Sequence, residues 1–134
     1  MSTLFHNDAL GKLTLRLSVG VLMLFHGVAK FNNPGSLKFI GNSLSSAGLP
    51  EFIAYGVFLG EIVAPIMIIA GIYTRIGGLL IVINMLFAIM LAHSAQLFML
   101  GKHGGWALEL QGFYLLGGLA IMLLGSGKWA LKPQ

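Results

Sequence analysis

Four long apolar runs, over residues 13–31, 52–73, 76–100 and 106–124, alternate with short polar stretches along this chain. About 20 residues at 1.5 Å rise cover the ~30 Å hydrocarbon core of a bilayer, so each run predicts a membrane-spanning helix. Asn32-Asn33-Pro34-Gly35 reads as a turn after the first run. Ser36 can then cap a helix over 36–47, with Leu37, Ile40, Leu44 and Ala47 on one face. That piece is too short to span and is expected at the membrane interface. Gly48-Leu49-Pro50, Thr74-Arg75, residues 101–105 and Gly125-Ser126-Gly127 supply the remaining breaks. The pattern predicts a single all-α membrane domain over 1–134. Its expected architecture is a four-transmembrane-helix up-and-down bundle with a short interfacial helix between helices 1 and 2.

Composition agrees: 57% of residues are hydrophobic and 9% charged, against about 25% charged in soluble domains. The net charge of +4 comes from eight basic residues spread singly, with no patch suited to nucleic acid. They read as topology and lipid-headgroup charges. Lys12, Arg16, Arg75, Lys128 and Lys132 fall on one side of the predicted bundle and Lys30, Lys38 and Lys102 on the other. Both termini are therefore expected in the cytoplasm. Lys12 and Arg16 before an apolar run resemble the start of a signal peptide, but Lys30 directly after Gly27-Val28-Ala29 argues for a retained helix. The absence of cysteine excludes thiol–disulfide exchange and thiolate-ligated clusters on this chain.

Candidate chemistry lies in the few polar residues inside the runs. Glu61 is the single charge between 52 and 73, and a carboxyl in mid-membrane costs about 2.5–3.5 kcal/mol on insertion scales, so it must face other helices. Gly56 and Gly60 form G-x-x-x-G beside it, and Pro65 leaves the Glu61 carbonyl without its helical donor. Counted from the non-cytoplasmic ends, His26 lies about 7 Å deep, Glu61 about 13 Å, His93 about 10 Å and Glu109 about 5 Å, with Gln111 and Tyr114 just below Glu109. Each helix thus brings a titratable group to a similar depth.

Plainer readings stand beside this one. Glu61 can hold the bundle together through an ion pair or hydrogen bond. His26 and Lys30 can form an interfacial helix end, Asn84 a helix–helix hydrogen bond, and Arg75 a headgroup anchor. The chemical readings are three. The two His and two Glu lack the spacing of a metal site, so no metal ligand is assigned. A carboxyl and an imidazole can exchange protons with a quinone, for which Trp106, Phe113 and Tyr114 would form a slot. A small-solute path is the third. A faint repeat, Arg16 then Glu61 and Arg75 then Glu109, suggests two hairpins in tandem.

Several stretches resemble the DoxX family: R-L-S-V-G-V-L-M-L-F-H-G-V-A-K-F (16–31), G-L-P (48–50), G-E-I (60–62), G-I-Y-T-R (71–75), G-G-W-A-L-E-L (104–110) and L-G-S-G-K-W (124–129). The resemblance implies a four-helix protein of the bacterial cytoplasmic membrane, linked to quinone-coupled sulfur oxidation or to oxidoreductase assemblies. It carries Arg16, His26, Lys30, Glu61, Arg75 and Glu109 as the polar members of matching motifs, while His93 matches none. After Gly127 this chain reads K-W-A-L-K, where family members often place a Ser and an Asp.

The expected function is a quinone-linked redox component. In it Glu61 and His26 handle protons, Glu109 pairs with Lys30 or His26, and Arg16 balances charge from below; Arg16, Lys30, His93, Trp106 and Tyr114 are the expected cofactor-binding residues. Membrane lipids, a soluble redox enzyme and further copies of the chain are the expected partners. The alternative is a non-enzymatic scaffold that docks such an enzyme.

Overall fold

The computed structural model describes residues 5–134; residues 1–4 lie outside the described residues. Regular structure there is helical: α1 (Asp8–Phe31), α2 (Pro34–Ser46), α3 (Ala64–Ala70), α4 (Thr74–Ala92) and α5 (Glu109–Leu124). A 3₁₀ stretch, Glu51–Gly56, and a π turn, Leu59–Val63, run into α3. Together they make the apolar span Glu51–Ala70. This span, α1 and α4 are long and apolar enough to cross a membrane, and α5 is a shorter apolar helix of 16 residues.

Helix ends differ from the hydrophobic pattern where side chains bond the backbone. α1 starts at Asp8 rather than at residue 13 because the Asn7 side chain accepts the Leu10 N–H at 3.0 Å. Asp8 then sits in the first turn and pairs with Lys12 at 2.8 Å. α2 starts at Pro34, capped by Asn33 rather than Ser36, since proline suits the first helical position. The second span ends at Ala70, not Tyr73: Gly71 takes φ 77°, and Gly71 and Ile72 both donate to the Met67 carbonyl.

The largest correction falls between α4 and α5, where the expected helices reach residue 100 and resume at 106. α4 stops at Ala92, and His93 Nδ1 lies 2.9 Å from Gln96 Oε1 across a 3₁₀ turn. Met99 accepts the Ala107 N–H, and the Trp106 indole donates to the Leu97 carbonyl at 2.8 Å. Local hydrogen bonding thus outcompetes a helix over 93–108, apolar as the stretch is.

α4 and α5 form the most extensive pair, α1 packs on α3 and α5, and α3 packs on α4. The α4–α5 crossing is close because Gly78 faces Gly118; a Cβ on Gly78 would lie 2.6 Å from the Gly118 carbonyl oxygen. Val19, Met23, Ala64, Ile68, Ile81, Met85, Tyr114 and Ile121 make the core.

One end gathers the start of α1, the α3–α4 turn and the C-terminal tail. Arg16, 1% exposed, donates to four carbonyls there: Ile68 and Ile69 near the end of α3, and Ser126 and Trp129 beyond α5. Leu131 and Lys132 donate to Ala70 and Gly71, so the K-W-A-L-K segment straps this end.

Candidate functional site

The structure holds a cavity of about 650 Å³, well within the range of small-molecule sites. α1 lends it Met23, His26 and Lys30, and α2 lends Ser36, Phe39 and Ile40. Glu61 comes from the π turn, Asn84 and His93 from α4 and its end, and Gln111 and Tyr114 from α5.

Its polar centre is built around Glu61, whose residue is 2% exposed. Lys30 Nζ donates to Glu61 Oε1 at 2.5 Å and Asn84 Nδ2 donates to Oε2 at 2.9 Å. Each carboxylate oxygen therefore has a donor, one of them a cation, which is the condition for tolerating this group among apolar helices. The local backbone makes the arrangement possible. Pro65 has no N–H to give the Glu61 carbonyl, and the chain passes this point as a π turn in which Ala64 donates to Leu59.

Two glycines bring the partners in. A Cβ on Gly27 would collide with the Glu61 carbonyl oxygen, and one on Gly60 would collide with the Asn84 side chain. Gly60 is thus the working half of the G-x-x-x-G pair, since nothing lies within 4 Å of a Cβ on Gly56.

His26 lies one helical turn before Lys30, with its ring edge-on to that of Tyr114, centroids 5.5 Å apart at 84°. Among the residues singled out from sequence, His26, Lys30, Glu61, His93 and Tyr114 line the same cavity. Asn84, read from sequence as a helix–helix hydrogen bond, makes one, to Glu61, and so joins the cluster. The signal was there: a lone amide inside an apolar run demands a partner. The cavity-facing side of α2 was missed, because its amphipathic pattern reads equally well as a helix on a membrane surface.

The remaining candidates lie elsewhere. Glu109 is exposed at the start of α5, its carboxylate beside Gly105, and Lys30 is on Glu61 rather than on Glu109. The apolar run had placed Glu109 inside a helix, whereas α5 begins with it. Arg16 lies roughly 21 Å along α1 from Lys30; its guanidinium is spent on backbone carbonyls and does not balance charge in the cavity. Trp106 closes the loop before α5 and covers Gly112, while Phe113 is 77% exposed, so neither forms a slot with Tyr114. Arg75 donates to the Met122 and Leu123 carbonyls at 2.9 and 2.8 Å, which makes it a cap for the end of α5. Among the described residues no three His, Cys, Asp or Glu side chains gather as a metal-binding group.

Comparison with known proteins covers the same ground. The chain is 33% identical over 125 residues to "Putative oxidoreductase CatD" of Bacillus subtilis, spanning 92% of this chain and 86% of that one. It is 32% identical over 123 residues to an uncharacterized protein of Haemophilus influenzae, spanning 90% and 87% of the two chains. It is 29% identical over 129 residues to an uncharacterized membrane protein of Mycobacterium tuberculosis, spanning 90% and 78%. No solved structure gives a significant match. The DoxX family model matches residues 11–94, a stretch that contains His26, Lys30, Glu61, Asn84 and His93. With its apolar helices and that match over more than half its length, this membrane protein belongs to the DoxX family.

Proposed function

We propose that this protein is a quinone-linked component of a membrane oxidoreductase assembly. In this reading α1, the Glu51–Ala70 span, α4 and α5 cross the bacterial cytoplasmic membrane as an up-and-down bundle, with both termini inside and α2 at the outer interface. The observation that carries the reading is a cavity of about 650 Å³ whose apolar walls, including Phe39, Ile40, Leu80 and Ile83, surround a half-buried Lys30 paired with the buried Glu61 carboxylate. A quinone asks for that combination: an apolar slot for the ring and hydrogen-bond donors for its carbonyls. The name carried by the Bacillus subtilis relative, an oxidoreductase, points the same way.

Bound in the cavity, a quinone would supply a two-electron, two-proton acceptor. The chain's own residues would hold and orient it: Lys30 and His26 through polar hydrogens, Tyr114 and the α2 residues through apolar contact. In this reading a soluble redox enzyme docked on the chain would supply the electrons.

Native mass spectrometry after gentle extraction from the source membrane tests this reading. A quinone retained by the wild type and lost in Glu61→Gln is the expected result; a protein carrying phospholipid alone would overturn it. A second reading has its own support. The Lys30–Glu61–Asn84 cluster ties α1, the π turn and α4 together, as a purely structural network would. A scaffold of that kind predicts that Glu61→Gln alters assembly or stability and that no quinone is found.

A further inference from the structure

We infer that Lys30 is the group that meets the ligand, with Glu61 and Asn84 as positioning residues behind it. The cavity then selects a neutral head that presents carbonyl oxygens, the oxidised form of a quinone-type ring over its dihydroxy form. This inference rests on the quinone reading above and sharpens it.

The division of roles follows from how the hydrogen-bonding capacity is used. A carboxylate is an acceptor only, and both oxygens of Glu61 are engaged, by Lys30 Nζ and by Asn84 Nδ2. Its side chain is 3% exposed, against 29% for Lys30. An ammonium carries three N–H donors. Among the described residues Glu61 is the one hydrogen-bond partner of Lys30 Nζ, so two donors remain on a side chain that lines the cavity.

The exposed part of this polar centre is therefore the Lys30 ammonium, with the Glu61 carboxylate buried behind it. A carbonyl oxygen accepts the ammonium hydrogens directly. A hydroxyl at the same point must also place its own hydrogen, and the Glu61 oxygens, on a side chain only 3% exposed, lie behind the ammonium; a donor left unmade in an apolar pocket is penalised. Charge narrows the choice further. Lys30 and Glu61 together are neutral, so a fully anionic head finds no net positive charge to offset its desolvation.

Asn84 completes the device from the other side. By holding Oε2 it fixes the carboxylate rotamer, and Gly60 allows α4 close enough for it to do so. Lys30 thus has a fixed counter-ion and is oriented before any ligand arrives, so less freedom is lost on binding.

The test is equilibrium binding to the full chain in phosphatidylcholine nanodiscs, with decylubiquinone, its hydroquinone kept reduced, and palmitate as probes. The wild type is expected to bind decylubiquinone at least tenfold more tightly than the hydroquinone and to prefer it to palmitate. Lys30→Met combined with Glu61→Met removes donor and counter-ion together, leaving no unpaired charge, and should abolish the tenfold preference. Lys30→Arg, which keeps a cationic donor, should restore most of it. Equal binding of both redox forms by the wild type overturns the inference without needing any variant to fold. So does a preference that survives in the double variant, or tighter binding of palmitate; each leaves the quinone reading standing. A wild type that binds neither form of the quinone overturns both.

Discussion

Glu61 is tolerated because each of its oxygens meets a donor, and the cost of removing one donor differs from the cost of removing the pair. Truncating Lys30 alone leaves a buried carboxylate without its cation, a change that costs about 3–5 kcal/mol in comparable buried pairs. Lys30→Met should therefore destabilise the protein by about that amount, and Lys30→Met with Glu61→Met by much less. Unfolding in mixed micelles reads both values, and a double variant no more stable than the single would show that the pair is not coupled. Glycines at this scale act by what they exclude. Gly27→Ala drives a methyl into the Glu61 carbonyl and should cost about 1–3 kcal/mol or more. Gly11→Ala, on the same helix with nothing within 4 Å, should be neutral or stabilising by up to about 1 kcal/mol. The same unfolding series compares them, and equal effects would remove the argument that α1 needs its close approach at Gly27.

At the scale of elements, the repeat glimpsed in the sequence has a physical counterpart in its arginines and none in its acids. Arg16, near the start of α1, donates to Ile68 and Ile69, the last carbonyls before the end of α3. Arg75, near the start of α4, donates to Met122 and Leu123, in the matching place on α5. Each first helix of a hairpin thus caps the second, whose final carbonyls would otherwise lack donors. Glu61 and Glu109 are not equivalent: one is buried within a π turn and the other is exposed in a first helical turn. The two clamps should differ in strength. Arg16 is buried and serves four carbonyls, and charge-assisted bonds contribute about 1.5–3 kcal/mol each. Arg16→Lys, which cannot span them, should destabilise by at least about 3 kcal/mol. The exposed Arg75 should lose only about 1 kcal/mol on Arg75→Lys. Thermal unfolding in detergent decides the order, and a reversed order would show that burial does not set the strength of these caps.

For the whole molecule, the distribution of charge and the strapping of the tail make a prediction about sidedness. The end that holds Arg16, the α3–α4 turn and residues 126–134 also carries most of the basic residues. The opposite end has the loop before α5, with Phe98 94% exposed and Lys102 nearby. The proposed orientation puts the first end in the cytoplasm. Because the chain has no cysteine, single replacements Lys128→Cys and Lys102→Cys report on this directly. An impermeant thiol reagent added to intact cells should label the second and not the first; the opposite pattern would invert the topology.

Hydrophobic period and length were enough to read an all-helical membrane chain from sequence. The cost of burying a carboxyl was enough to mark Glu61 as the residue needing partners, because both are additive properties of a segment in an apolar solvent. The family followed from the order of small motifs. The partners themselves were decided in three dimensions. Lys30 meets Glu61 rather than Glu109, and Asn84 completes the set. Glu109, Trp106 and Arg16 fall outside the cavity because helix ends and loop hydrogen bonds moved the first two and a set of backbone carbonyls claimed the third. Depth along a helix is legible from residue counting, but the rotation of each helix is not. That rotation depends on which small residue lets a neighbour approach, here Gly27 and Gly60, and such contacts exist only once the helices have packed.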